Sequence, residues 1–236
     1  MTGRLNRGSL LALIAAIPEP VQDLTQPPHL LITFVPEVGT NGVSTNMPIT
    51  GFLKQGTLQL GQKVEIRPGL IVWDSQEVVG YTPFVAQITS IAAAGRNLQS
   101  AIPGDMITVE TDLNGPRDLR NLLPGQMLGR SLPPVYNRIK VDNWVLRRNR
   151  GQARQLKILT GDNLLVSLGP RKTRGRAVQV APGNLRIGME SPLCVGLGQK
   201  LVLFRHIPDQ NWVVTGFGTV IGGIKAERIG LEIAEE

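Results

Sequence analysis

The sequence predicts an all-β protein of two consecutive antiparallel barrels preceded by one short helix. Three observations carry this. From Leu30 onward, short apolar runs recur about every ten residues, divided by the Gly, Pro and Asn residues that close tight turns. No helical pattern separates the runs, which argues against the crossovers of a parallel sheet, and Gly (27) with Pro (17) makes nearly a fifth of the 236 residues. A Pro-marked break, "PGQMLGRSLPP" at residues 124–134, divides the chain into two lengths that can each bury a core.

The helix comes first. Residues 9–17, "SLLALIAAI", put Leu10, Leu13, Ile14 and Ile17 on one helical face, with Ser9 as the expected N-cap and Pro18 as the stop. No helical partner follows, so this stripe is expected to cross a barrel end, stay exposed or mediate self-association. The strands of the first barrel are read in "HLLITFVP", "GTLQLGQKVEIRPG", "FVAQITSIAAAG" and "GDMITVETDL". Those of the second are "RIKVDNWVLRR", "QLKILTGDNLLVSLG", "GRAVQVAPGNLRI", "PLCVGLGQKLVLFRH" and "WVVTGFGTVIGGIKAERI". The division is residues 1–20 for helix and linker, 21–131 for the first barrel and 132–236 for the second. "LGQK" occurs in both, at residues 60–63 and 197–200, and strand parity reads the echo as a shared turn. Arg67 lies four residues after Lys63 and shares its face, whereas Arg205 lies five after Lys200 and opposes it.

Charge is one-sided. Through residue 131 there are 9 Lys and Arg against 10 Asp and Glu, and from residue 132 there are 16 against 8, so the net +7 arises in the second half. Such a field suits a polyanionic partner, RNA before others, or serves as a solvated surface. The richest cluster is Arg138, Lys140, Arg147, Arg148, Arg150, Arg154 and Lys157, with Asp142 as its lone acid. Arg171, Lys172, Arg174 and Arg176 form a second, and Gly151 and Gly175 suggest that both are flexible basic loops suited to RNA backbone. Arg205 belongs with these candidates. Trp144 and Trp212 could stack on bases, but each lies in an apolar alternating strand and is read as part of a barrel wall.

Catalytic chemistry finds little support. The one cysteine, Cys194, and the two histidines, His29 and His206, do not have metal-ligand spacing. Cys194 and His206 fall on adjoining strand segments, but no orienting acid is near in sequence, and a buried thiol is the expectation. No catalytic, nucleotide-binding or metal-binding residue is assigned. With one cysteine and no apolar run of membrane-spanning length, a reducing, cytoplasmic setting away from membranes is expected.

In order and spacing, "GFLKQGTLQLGQKVEIRPG", "AIPGDMITVETDL", "LLPGQMLGRSLPP", "WVLRR" and "PLCVGLGQKLVLFRHIPDQNWVVTGFGTVIGG" resemble the second and third domains of the gamma subunit of eukaryotic and archaeal translation initiation factor 2. The resemblance runs from about Pro18 to Gly223. It implies the domain II and III barrels of the elongation factor Tu superfamily, with residues 1–20 similar to the last helix of a GTPase domain and its linker. For the intact family it implies GTP with magnesium, initiator methionyl-tRNA, the small ribosomal subunit and its RNA, an alpha subunit on the second domain, and a beta subunit chiefly on the GTPase domain. This chain has no GxxxxGK[ST] loop and no Asn-Lys-x-Asp guanine reader, so no cofactor is expected in it and no GTP hydrolysis by it alone. "DLNG" at 112–115 fits a switch pattern but is read as a turn.

The family's Gly-rich segment before "LKQG" reads "GTNGVSTNMPITGF" here and keeps only Gly51 of its later pair. That places the family's grip on the tRNA acceptor end in question. Lys63 and Arg67 lie on the strand that the resemblance sets near that end. They are read either as phosphate contacts or as members of an ion network around Glu65. Three functions follow: a gamma-type barrel unit, a ribosome- or RNA-binding paralogue without GTPase activity, or the barrels of an active GTPase whose first domain lies outside this sequence.

Overall fold

The computed structural model describes residues 7–18, 23–36, 47–104, 106–113, 119–145, 157–207 and 211–230. It contains the two expected barrels. Helix α1 (Arg7–Ala15) leads into β1 (His29–Phe34), β2 (Met47–Gln55), β3 (Leu58–Gln59), β4 (Lys63–Asp74), β5 (Glu77–Ala93), β6 (Arg96–Asn97), β7 (Ser100–Ala101) and β8 (Met106–Thr111). One turn of helix, α2 (Leu119–Leu122), precedes β9 (Met127–Gly129). The second barrel holds β10 (Val135–Val145), β11 (Asn163–Leu168), β12 (Arg171–Ala181), β13 (Asn184–Cys194), β14 (Lys200–Ile207) and β15 (Asn211–Lys225).

The first sheet runs β4-β9-β1-β2-β8-β5, and the β4–β5 pairing closes it. The second closes as β10-β13-β12-β11-β14-β15. Each core comes from strand alternation. In β8, Ile107, Val109 and Thr111 are buried between more exposed neighbours, while in β12 Thr173, Gly175 and Ala177 turn inward and Lys172, Arg174 and Arg176 turn outward. Strand β1 breaks the alternation because it is covered on both faces. Leu30 and Ile32 enter the first core, and Leu31 joins a separate buried cluster with Tyr81, Met127, Leu132, Val135, Cys194 and Ala226, where the barrels meet.

The echoed "LGQK" is one turn used in each barrel. Gly61 N–H donates to the Ile88 carbonyl (2.8 Å), and Ile88 N–H donates back to Gln62 O (3.0 Å). Gly198 and Gln199 make the same pair of bonds with Val220, at 2.8 and 3.0 Å, and both glycines have positive φ, 78° and 80°. A third copy lies at Gly161–Asp162 opposite Ala177, at 2.8 and 2.9 Å, hidden in the sequence because "TGDN" shares only its glycine with "LGQK". The glycine supplies the left-handed turn each time.

Three local expectations are corrected. Helix α1 is already formed at Arg7, so Ser9 lies inside it and is not its N-cap. Of the expected stripe, Leu13, Ile14 and Ile17 are more than half exposed, at 58, 55 and 68%, so these residues cross neither barrel end, and the side chain of Leu10 lies outside the described residues. Arg171, Lys172, Arg174 and Arg176 are strand residues rather than a flexible loop. Gly175 is there because β13 runs close behind it: an added Cβ would come within 2.7 Å of the Gly188 carbonyl oxygen.

Candidate nucleic-acid interface

The second barrel's outer wall gathers cations by register. Lys140 of β10 stands opposite Arg186 of β13, Arg138 stands opposite Gly188, and Gly188 in turn faces Arg176 of β12. Arg138 and Arg176 thus face each other across a residue without a side chain. Arg138, Arg176 and Arg186 are exposed and Lys140 is half-buried. Bulges beside Arg138, beside Lys140 and beside Gln179 hollow this wall into a groove of about 440 Å³, lined by the three cations of β10 and β13 together with Val178 and Ile224. Arg186 was missed in the sequence. Its alternation in "NLRI" marks it as outward-facing, but only the register sets it against Lys140.

The other candidates divide. Lys172 and Arg174 are exposed on β12 and continue the row that ends in Arg176, whose Nε donates to Gly161 O at 3.2 Å. Arg171 is half-buried where the barrels meet, its side chain against Gly125, and burial lowers its pKa. Arg205 is held locally, Nη1 donating to the Lys157 carbonyl (2.6 Å) and lying 3.4 Å from the Asp162 carboxylate. The side chain of Lys157 is exposed. Arg147, Arg148, Arg150 and Arg154, and Gly151 beside them, lie outside the described residues.

In the first barrel Lys63 is exposed, but Arg67 belongs to an ion network. Its Nε donates to Glu65 Oε2 at 2.7 Å and its Nη1 to the Leu132 carbonyl at 2.9 Å, while Arg228 approaches Glu65 Oε1 at 2.7 Å. Of the two readings set out for Arg67, the structure shows the network around Glu65. Gly51 has a packing role as well, since a Cβ there would lie 3.2 Å from Ile32 Cα and against the Leu31 backbone. Asp112 accepts the Gln87 N–H at 2.6 Å, which occupies the carboxylate of "DLNG"; residues 114–118 lie outside the described set.

Cys194 and His206 are not neighbours, because β12 and β11 stand between β13 and β14 in the barrel. The Cys194 thiol is buried, donates to Pro133 O at 3.2 Å, and is pushed up to about 12 by burial. At mildly alkaline pH it should not react with a thiol-specific chromogenic disulfide until the chain is unfolded, and then react completely. Rapid labelling of the native protein would contradict the packing described. His206 instead meets Trp212 across β14 and β15, edge to face with centroids 5.5 Å apart, which makes Trp212 a wall residue. The side chain of Trp144 lies outside the described residues. Among the described residues no cluster of His, Cys, Asp and Glu is placed to hold a metal, and no helix is long and apolar enough to cross a membrane.

Residues 137–220 match the family described as "Initiation factor eIF2 gamma, C terminal". The chain is 30% identical over 226 residues to eukaryotic translation initiation factor 2 subunit 3 of Drosophila melanogaster, covering 89% of this chain and 47% of that one. To the gamma subunit of Schizosaccharomyces pombe it is 28% identical over 224 residues, covering 89% and 50%. It therefore spans about half the length of these relatives. A crystal structure of bacterial selenocysteine-specific elongation factor matches at a TM-score of 0.63 and 16% identity, covering 90% of this chain and 30% of that one, and shows the shared fold. Across its two barrels the chain is similar to the gamma subunit of translation initiation factor 2, and residues 137–220 match the C-terminal domain of that family.

Proposed function

We propose that these barrels serve translation initiation in the cytoplasm as the binding portion of a gamma-type factor, with initiator tRNA, small-subunit RNA and the alpha subunit as partners. The kinship along both barrels is the observation that carries this reading. GTP and magnesium chemistry is assigned to residues outside the two barrels, and the beta subunit to contacts outside them as well. Lys172, Arg174 and Arg176 are the phosphate contacts. They sit at alternate positions of one strand, about 6.6 Å apart, on a rigid wall without a competing ion pair among the described residues. Lys63 supplies a further contact on the first barrel.

The test is a salt series with labelled initiator tRNA and a small-subunit RNA fragment. Reversing Lys172, Arg174 and Arg176 to Glu is expected to flatten the slope of log K against log salt by about 2, from three lost phosphate contacts. Capture of the alpha subunit should be unchanged, since the substitutions lie on the other barrel. An unaltered slope would remove β12 from the RNA interface, and loss of both RNAs and alpha subunit from the parent chain would sink the functional reading.

A further inference from the structure

The groove on the second barrel departs from ordinary surface design. Like charges directly opposite on neighbouring strands repel, yet Lys140 faces Arg186, and Arg138 stands two residues along the same strand. Asp142 and Glu190, on those two strands, form no ion pair with any of the three among the described residues. The groove is therefore an unneutralised cationic site, complementary to a ligand bearing at least two negative charges.

Its lining distinguishes among anions. Among the described residues that line it there is no aromatic side chain on which a base could stack. Instead the cations are bordered by Val178 and Ile224, which remain 47 and 57% exposed. A sugar–phosphate backbone gains little from such neighbours, whereas an extended peptide that carries both acidic and apolar side chains on one face satisfies both. In an extended peptide, residues i and i+2 lie about 6.6 Å apart on one face, the same spacing that separates Arg138 from Lys140. Gly222 beside Lys140 leaves open space above the strand, since a Cβ there would meet nothing within 4 Å.

We infer that this groove docks an extended acidic peptide segment of a partner protein, its carboxylates on Arg138, Lys140 and Arg186 and its apolar side chains on Val178 and Ile224. This is the acidic-motif mode of peptide recognition, in which an arginine cluster supplies the specificity. It adjoins the RNA row of β12, whose Arg176 faces Arg138 across Gly188, and stands whether or not that row binds RNA.

Fluorescence anisotropy tests it with a short labelled extended peptide carrying Val, Glu, Glu and Val at alternate positions, so that all four share one face, with Ser between them, and with the intact chain at physiological salt. The peptide is expected to bind, and Lys140→Glu together with Arg186→Glu to weaken it by about tenfold or more. Lys172→Glu with Arg174→Glu should change it less than about twofold, as distant exposed charges are screened. Arg138→Glu alone is the second variant, and all are surface changes that leave the fold intact by circular dichroism. A peptide with Ser in place of both Val residues, equal in charge, should bind more weakly than the Val-containing one. Equal binding by the two peptides, indifference to the groove reversals, or displacement by oligouridine at lower concentration than by the Val-containing peptide would each overturn the assignment.

Discussion

Replacing Glu65 with Leu is expected to lower stability by about 3 kcal/mol, the low end of what removing one partner from a buried ionic cluster costs. The Glu65 side chain is 9% exposed and its carboxylate is shared by two guanidinium groups, Arg67 on its own strand and Arg228 on the segment after β15. Both arginine side chains are mostly covered, at 17 and 16% exposure, so losing their common anion leaves two positive charges facing each other with little water to screen them. The site also ties the barrels together. Arg67 donates to the Leu132 carbonyl in the connection, and Tyr81 of β5 exchanges backbone bonds with Glu227 and Ile229, at 2.9 and 2.8 Å. For a chain of this size the loss corresponds to a melting point lower by roughly 6–12 °C. Replacing Glu65, Arg67 and Arg228 together with Leu, Met and Met should recover much of it, because no charge is then left buried. A single variant within about 1 kcal/mol of the parent would mean that solvent screens the cluster as it does surface pairs.

The network shows what could be read before the fold was known. Strand parity placed Lys63, Glu65 and Arg67 on one face, and the acid was an evident partner for the arginine. Arg228 lies 163 residues from Glu65, and no local pattern links them. The same division recurs at the basic wall. Alternation marks Lys172, Arg174 and Arg176 as outward-facing, yet Gly175 reads as loop-like until β13 is seen running behind it. Arg186 gains its meaning only from standing opposite Lys140. The number of barrels was legible because turn chemistry and strand period are local, and so was the sense of the "LGQK" echo. Helix α1 misled because "SLLALIAAI" has good helix formers but no partner within reach, so periodicity gave the right element and the wrong start.

Gly69→Ala is the second substitution expected to be severe, and a control in the same chain separates its causes. Gly69 has φ +78°, where a Cβ costs about 1–2 kcal/mol by itself. Its added Cβ would also fall on the Thr82 carbonyl oxygen of the neighbouring strand and lie 2.7 Å from Pro83 Cα, neither of which can rotate away. The glycine is gripped from the other side: its N–H donates to Gln126 Oε1 at 2.7 Å, and its carbonyl accepts from Gln126 Nε2 at 3.1 Å, both buried. Moving Gly69 away from Thr82 would strain those two bonds, at about 1 kcal/mol or more each. The expected total is about 3–4 kcal/mol, read as a shift in the urea midpoint. Gly198 has nearly the same φ, +80°, but nothing within 4 Å of its Cβ, so Gly198→Ala should cost only the conformational 1–2 kcal/mol or so. The difference between the two variants measures the close approach of β4 to β5. Equal losses would show that backbone conformation alone demands glycine in "RPG", and that the contact with Thr82 relaxes without cost.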